Sequence, residues 1–122
     1  MRLPAIVAAA LLCLTAVGAQ ARAYDAKALA RYDVSYTKCE ARFPHMQGHC
    51  DEAYLNLWRI KPDDKSRDRL AKLRGEPAYR IERQRALQAS AKSASAPAAS
   101  QLERECQGLW AENQRVNSTT KR

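Results

Sequence analysis

The chain has 122 residues, with 21 Lys or Arg against 13 Asp or Glu and a formal net charge of +8. That length suits one domain. Its four glycines and two histidines form no G-x-S-x-G, no Gly-rich phosphate loop and no H-E-x-x-H, which excludes the common hydrolytic and phosphate-transfer signatures. The chain therefore reads as a non-enzyme with no cofactor.

Residues 1–23 read as a secretory signal peptide. Met1-Arg2 makes a short basic start, residues 3–19 carry no charge, and two small-x-small sites follow, Ala19-Gln20-Ala21 and Ala21-Arg22-Ala23. Cleavage is expected after Ala21 or, by preference, after Ala23. The 17-residue apolar run is Ala-rich and shorter than the roughly 20 residues that span a bilayer. No other stretch is a transmembrane candidate. Cys13 follows Ala10-Leu11-Leu12, without the small residue expected ahead of a lipidated cysteine. The expected location is the periplasm or the exterior.

Residues 24–122 keep 19 basic and 13 acidic residues, a net +6. Only 13 of these 99 residues are Leu, Ile, Val or Phe, below the roughly 20% at which a charged chain risks disorder. Eight aromatics partly compensate, since each buries a large area. A chain this small with so few aliphatics calls for a covalent staple, and an oxidising destination permits one.

The fold class expected is all-α, a small bundle of three to four helices stapled by one disulfide. The first helix is predicted over 25–41, capped by Asp25. Its seam is Leu29, Tyr32, Tyr36, Cys39 and Phe43, spaced 3, 4, 3 and 4. Pro44 then forces Phe43 out of helical geometry. A second helix is predicted over 49–60, with Asp51 and Glu52 in its first turn and Ala53, Tyr54, Leu57 and Trp58 on its buried face. The short connection makes these two helices antiparallel neighbours. A third helix starts at Asp63-Asp64 and buries Leu70 and Leu73. Gly75-Glu76-Pro77 breaks or kinks it, and a continuation runs from about Ala78.

Residues 24–89 thus form the helical domain, and 90–100 an Ala/Ser-rich linker. The capping box Ser100-Gln101-Leu102-Glu103 starts a last helix, which buries Leu102, Cys106, Leu109 and Trp110. That helix occupies 101–122, packs back on the domain and ends in a frayed "NSTTKR" tail.

Cys39, Cys50 and Cys106 remain after cleavage and allow one disulfide in three pairings. Cys39 and Cys106 both lie on apolar seams, and their bridge would tether the last helix. Cys39–Cys50 is the rival, because both flank the corner between the first two helices. Cys50 is then a leftover thiol or an alternative partner. That corner, "RFPHMQGHCDE", also carries His45, Met46, His49 and Cys50, soft or borderline donors for copper or zinc. Their spacing follows no strong metal motif, so the corner reads first as a turn and second as a metal site.

Between positions 59 and 85 there are ten basic and five acidic residues. One reading is a solvated helix laced with i,i+4 pairs such as Asp68–Lys72 and Glu76–Arg80. The other is an anion-binding surface, with Arg67, Arg69, Lys72 and Arg74 as its candidate contacts. Its partner would be an anionic envelope surface or an acidic protein. Nucleic acid is not expected, because no recognition motif is present. The function expected is a small exported interaction protein; the alternative is a soft-metal binder at the 39–50 corner.

Overall fold

In a computed structural model, the structure describes residues 21–92 and 96–120. Most of the predicted signal peptide, residues 1–20 with Cys13, and linker residues 93–95 lie outside the described residues. The fold is all-α. Helix α1 spans Ala26–Arg42, a 3-10 turn spans Pro44–Met46, and α2 spans Cys50–Leu57. Helix α3 spans Asp64–Arg74, α4 spans Pro77–Lys92 and α5 spans Ala96–Thr120. Among the described residues this is five α-helices, with residues 21–23 also helical, where three to four helices were expected. Gly75 and Glu76 separate α3 from α4 completely, so the kinked third helix is two helices.

Local chemistry explains most boundaries. The Asp25 carboxylate accepts from the Ala28 amide at 3.0 Å and caps α1. Phe43 is extended ahead of Pro44, which ends α1. Asp63 and Ser66 cap α3 reciprocally: the Asp63 carboxylate accepts from the Ser66 amide at 2.9 Å, and the Ser66 hydroxyl accepts from the Asp63 amide at 3.0 Å.

Helix α2 stops at Leu57, before the predicted Ile60, and the reason is a Schellman turn. Arg59 adopts φ 60°; its amide donates to the Asn56 carbonyl at 3.1 Å, and the Ile60 amide donates to the Leu55 carbonyl at 2.8 Å.

Two expectations about the last helix are corrected. Helix α5 begins at Ala96, inside the predicted linker, so Ser100 is not its cap. Alanine favours helix strongly, and Pro97 falls in the first turn, where a missing N–H costs nothing. The tail is not frayed before Thr120 either. Asn117 receives a hydrogen bond from the Asn56 amide nitrogen at 3.2 Å and donates to Glu52 at 2.8 Å.

Helix α1 lies mainly against α4, and α2 mainly against α5, rather than α1 and α2 against one another. Helix α4 turns Tyr79, Glu82, Ala86 and Ser90 inward, spaced 3, 4 and 4. The core has two clusters. One holds Ala23, Leu29, Ala30, Tyr54, Leu55, Leu70, Leu73 and Tyr79. The other holds Tyr36, Cys39, Met46, Ala53 and Cys106, edged by Leu102, Leu109 and Trp110. Tyr32 touches both clusters and meets the Tyr54 ring at 4.7 Å.

Cys39 and Cys106 are joined in a disulfide, with their Cα atoms 5.6 Å apart. Of the pairings left open by the sequence, this one clamps α5 to α1. Leu57, expected inside, is 47% exposed. Helix α2 is covered on two sides, so Leu55 and Asn56 take the buried places.

A non-glycine residue in the left-handed region is strained. Arg59→Gly is therefore expected to raise the unfolding free energy by about 0.5–1 kcal/mol. Urea denaturation would read this as a higher midpoint at unchanged slope.

Candidate functional site

The distribution of charge depends on which cations the fold consumes internally. Arg74, at the end of α3, is the central one. Its Nε donates to Asp33 at 2.9 Å, and its terminal nitrogen donates to Asp33 at 3.0 Å and to Asp51 at 2.7 Å. The Tyr79 hydroxyl donates to the same Asp33 at 2.5 Å. Asp33 is on α1, Asp51 on α2 and Tyr79 on α4, so one guanidinium gathers four helices. Burial opposes the Arg74 charge, but its hydrogen bonds to Asp33 and Asp51 outweigh that and hold the proton more tightly than usual. Burial, then the hydrogen bond to Asp33 and its charge, pushes the Tyr79 hydroxyl up to about 12. Arg74 therefore does not join the candidate anion-binding set: its donors point inward.

The free thiol belongs to the same node. Cys50 opens α2, and its Sγ donates to Asp33 at 3.5 Å. Burial, then the nearby Asp33 charge, pushes this thiol well above its ordinary value. The thiol is therefore a poor nucleophile where it sits.

His45, Met46 and His49 make contacts other than to the Cys50 thiol. His45 and His49 stand edge-on to Trp110 at 5.2 and 5.3 Å. Met46 is buried, and its carbonyl accepts from the Tyr36 hydroxyl at 2.7 Å. His49 Nδ1 pairs with Glu52 at 2.9 Å. Among the described residues, no three His, Cys, Asp or Glu side chains form a metal-ligand group. The two histidines of the corner pack against Trp110.

A polar seam between α2 and α5 was not legible in the sequence. The Asn56 amide nitrogen donates to Asn113 at 2.6 Å, and both residues are buried. Glu52 adjoins this seam through Asn117. Burial alone would raise its carboxyl, but hydrogen bonds from His49 and Asn117 outweigh that and hold it below the usual carboxylate range.

Between α1, α2 and α5 runs a groove of about 190 Å³, lined by Tyr32, Tyr36, Cys39, Leu57, Leu102 and Leu109, with Ser35 and Glu105. It is walled by apolar groups. Both tyrosine hydroxyls are spent on backbone carbonyls, of Cys50 and Met46, and Cys39 is oxidised.

Unpaired cations occur on several helices, and the densest run of them lies along the segment from Lys61 through α3 and α4. Asp68–Lys72 and Glu76–Arg80, the pairs expected along these helices, do not close. Among the described residues, Lys61, Lys65, Arg67, Arg69, Lys72, Arg80 and Arg83 have no carboxylate within 4.0 Å. All seven are exposed. Arg69 also stacks over the Tyr24 ring at 3.8 Å, which pins the chain ahead of α1. Arg59 and Arg85, in contrast, are paired with Glu112 and Glu82. Arg67, Arg69 and Lys72 thus remain in the candidate set, joined by Lys65, Arg80 and Arg83. No family model, curated protein or solved structure matches this chain.

The contrast between inward and outward cations is measurable. Arg74→Ala leaves two partly buried carboxylates without their counter-charge and is expected to cost about 2–3 kcal/mol. Lys72→Ala, on the outside of the same helix, is expected to cost less than about 0.5 kcal/mol. Paired chemical denaturation curves would check the difference.

Proposed function

We propose that this is an exported, non-enzymatic helical protein that binds anionic material of the cell envelope through the basic surface of α3 and α4. The observation that carries this reading is the run of exposed cations without a carboxylate partner, six on α3 and α4 (Lys65, Arg67, Arg69, Lys72, Arg80 and Arg83) and Lys61 just ahead of them. A cation paired inside the molecule is partly neutralised. An unpaired one presents its full field to solvent and attracts a polyanion, most strongly at low ionic strength. An acidic protein would satisfy the same charges. No observation favours the soft-metal alternative.

Export is supported by the basic start, the uncharged run and the small-x-small sites of the sequence. Burial of Ala23 supports one of the two candidate cleavage sites over the other. Ala23 is fully buried in the first core cluster, and its carbonyl accepts a short hydrogen bond from the Tyr54 hydroxyl. Cleavage after Ala23 would remove this residue from the folded core, whereas cleavage after Ala21 keeps it. Processing after Ala21 is the reading consistent with the packing, so the exported protein would begin at Arg22.

The test is equilibrium binding of the exported protein to polyphosphate, a simple polyanion. Neutralising Lys65, Arg67 and Lys72 together to Gln is expected to weaken binding at low salt by about tenfold to a hundredfold. The melting temperature should be unchanged. Polyphosphate binding that is undiminished in the triple variant would remove this surface from consideration.

A further inference from the structure

Helix α4 carries an anomaly that charge alone does not explain. Among the described residues three large hydrophobic side chains are exposed, and two of them, Ile81 at 55% and Leu87 at 39%, lie on this helix. Neither belongs to or packs against a core cluster. The inward face of α4 is complete without them, made of Tyr79, Glu82, Ala86 and Ser90. Helix α5 packs on α2 and leaves the outward face of α4 uncovered.

Helical geometry defines that outward face. Leu87 lies six positions after Ile81, so the two point about 120° apart and sit about 9 Å apart along the axis. They occupy the two shoulders of the side opposite the core. Exposed Arg80, Gln84 and Gln88 lie between them, and Arg83 and Arg85 flank them. The result is a surface strip with two isolated apolar anchors set among long cationic side chains.

We propose that α4 is a peripheral membrane-docking helix whose partner is an anionic phospholipid bilayer. Ile81 and Leu87 insert at the boundary between headgroups and acyl chains. Arg80 and Arg83, with Lys72 of α3, engage lipid phosphates. This rests on the basic-surface reading and names its partner.

The shape of the strip selects a bilayer over a folded acidic protein. Two isolated side chains pointing 120° apart would each need a separate socket in a rigid partner. A bilayer interface closes around them without one. Arginine stems can lie along the apolar boundary while their guanidinium groups stay at the phosphates. The mode is surface attachment: among the described residues no helix is long and apolar enough to cross a membrane.

The experiment uses the protein as its producing cell processes it. Binding is measured to phosphatidylcholine vesicles, to phosphatidylcholine–phosphatidylglycerol vesicles, and to polyphosphate. The parent is expected to prefer the phosphatidylglycerol vesicles, with affinity falling steeply as salt is added. The double variant Ile81→Ser, Leu87→Ser is expected to lose about tenfold in affinity for these vesicles. It should keep the parent's polyphosphate affinity and melting temperature, because both side chains lie outside the core.

Equal vesicle affinity for parent and double variant would overturn the insertion. Polyphosphate binding without vesicle binding would overturn the bilayer as partner, leave the basic surface standing and point to an acidic protein or polymer. Failure to bind either probe would overturn both readings.

Discussion

The bridge between Cys39 and Cys106 is the constraint on which the rest of this structure depends. It joins positions 67 residues apart in sequence, and in the loop-entropy description such a closure is worth about 4 kcal/mol. That is a large share of the stability ordinarily available to a domain of this size. The second core cluster shows why the contribution matters. Its fully enclosed members are Tyr36, Met46, Ala53 and the two cysteines themselves, with no buried Leu, Ile or Val. Helix α5 follows an Ala/Ser-rich stretch, so sulfur, not aliphatic packing, fixes where it docks.

Polar interactions then set the register that so small a core leaves loose. Arg74 gathers Asp33, Asp51 and, through Asp33, Tyr79, and so aligns α1 to α4. The buried Asn56–Asn113 contact aligns α2 with α5. A buried polar group is expensive to leave unsatisfied, so each contact disfavours a slipped arrangement in which its partner is lost. The same economy shapes the exterior. The carboxylates closest to Arg74 are used inside the bundle, and the acids along α3 and α4 do not close onto their i,i+4 neighbours. Cations and acids of α3 and α4 therefore both stay exposed, with the cations in excess.

Local signals in the sequence carried the fold class, most helix starts and the first helix stop. Asp25 and Asp63 cap as their chemistry dictates, Pro44 ends α1, and the 3,4 spacing placed Cys39 on a buried seam opposite Cys106. The misreadings have physical causes of their own. Ser100 looked like a cap because its box is well formed, yet alanines and a first-turn proline extended the helix back to Ala96. Leu57 looked buried because it is apolar, yet the doubly covered α2 used that space for Asn56. The Arg74 node and the Asn56–Asn113 seam join residues 41 and 57 apart in sequence. No periodicity encodes such pairs. The candidate surface was legible as a charge excess, but not which cations it would retain. Arg74 left the set because three-dimensional proximity, not composition, decides pairing.

A basic exterior held by a sulfur-clamped frame makes sense only if the clamp is between these two cysteines. The most direct measurement is thiol blocking of the native protein, followed by non-reducing peptide mapping. The account predicts a single linked peptide pair containing Cys39 and Cys106, with Cys50 unlinked and modified only after unfolding. A Cys39–Cys50 linkage, or three modified thiols, would contradict it.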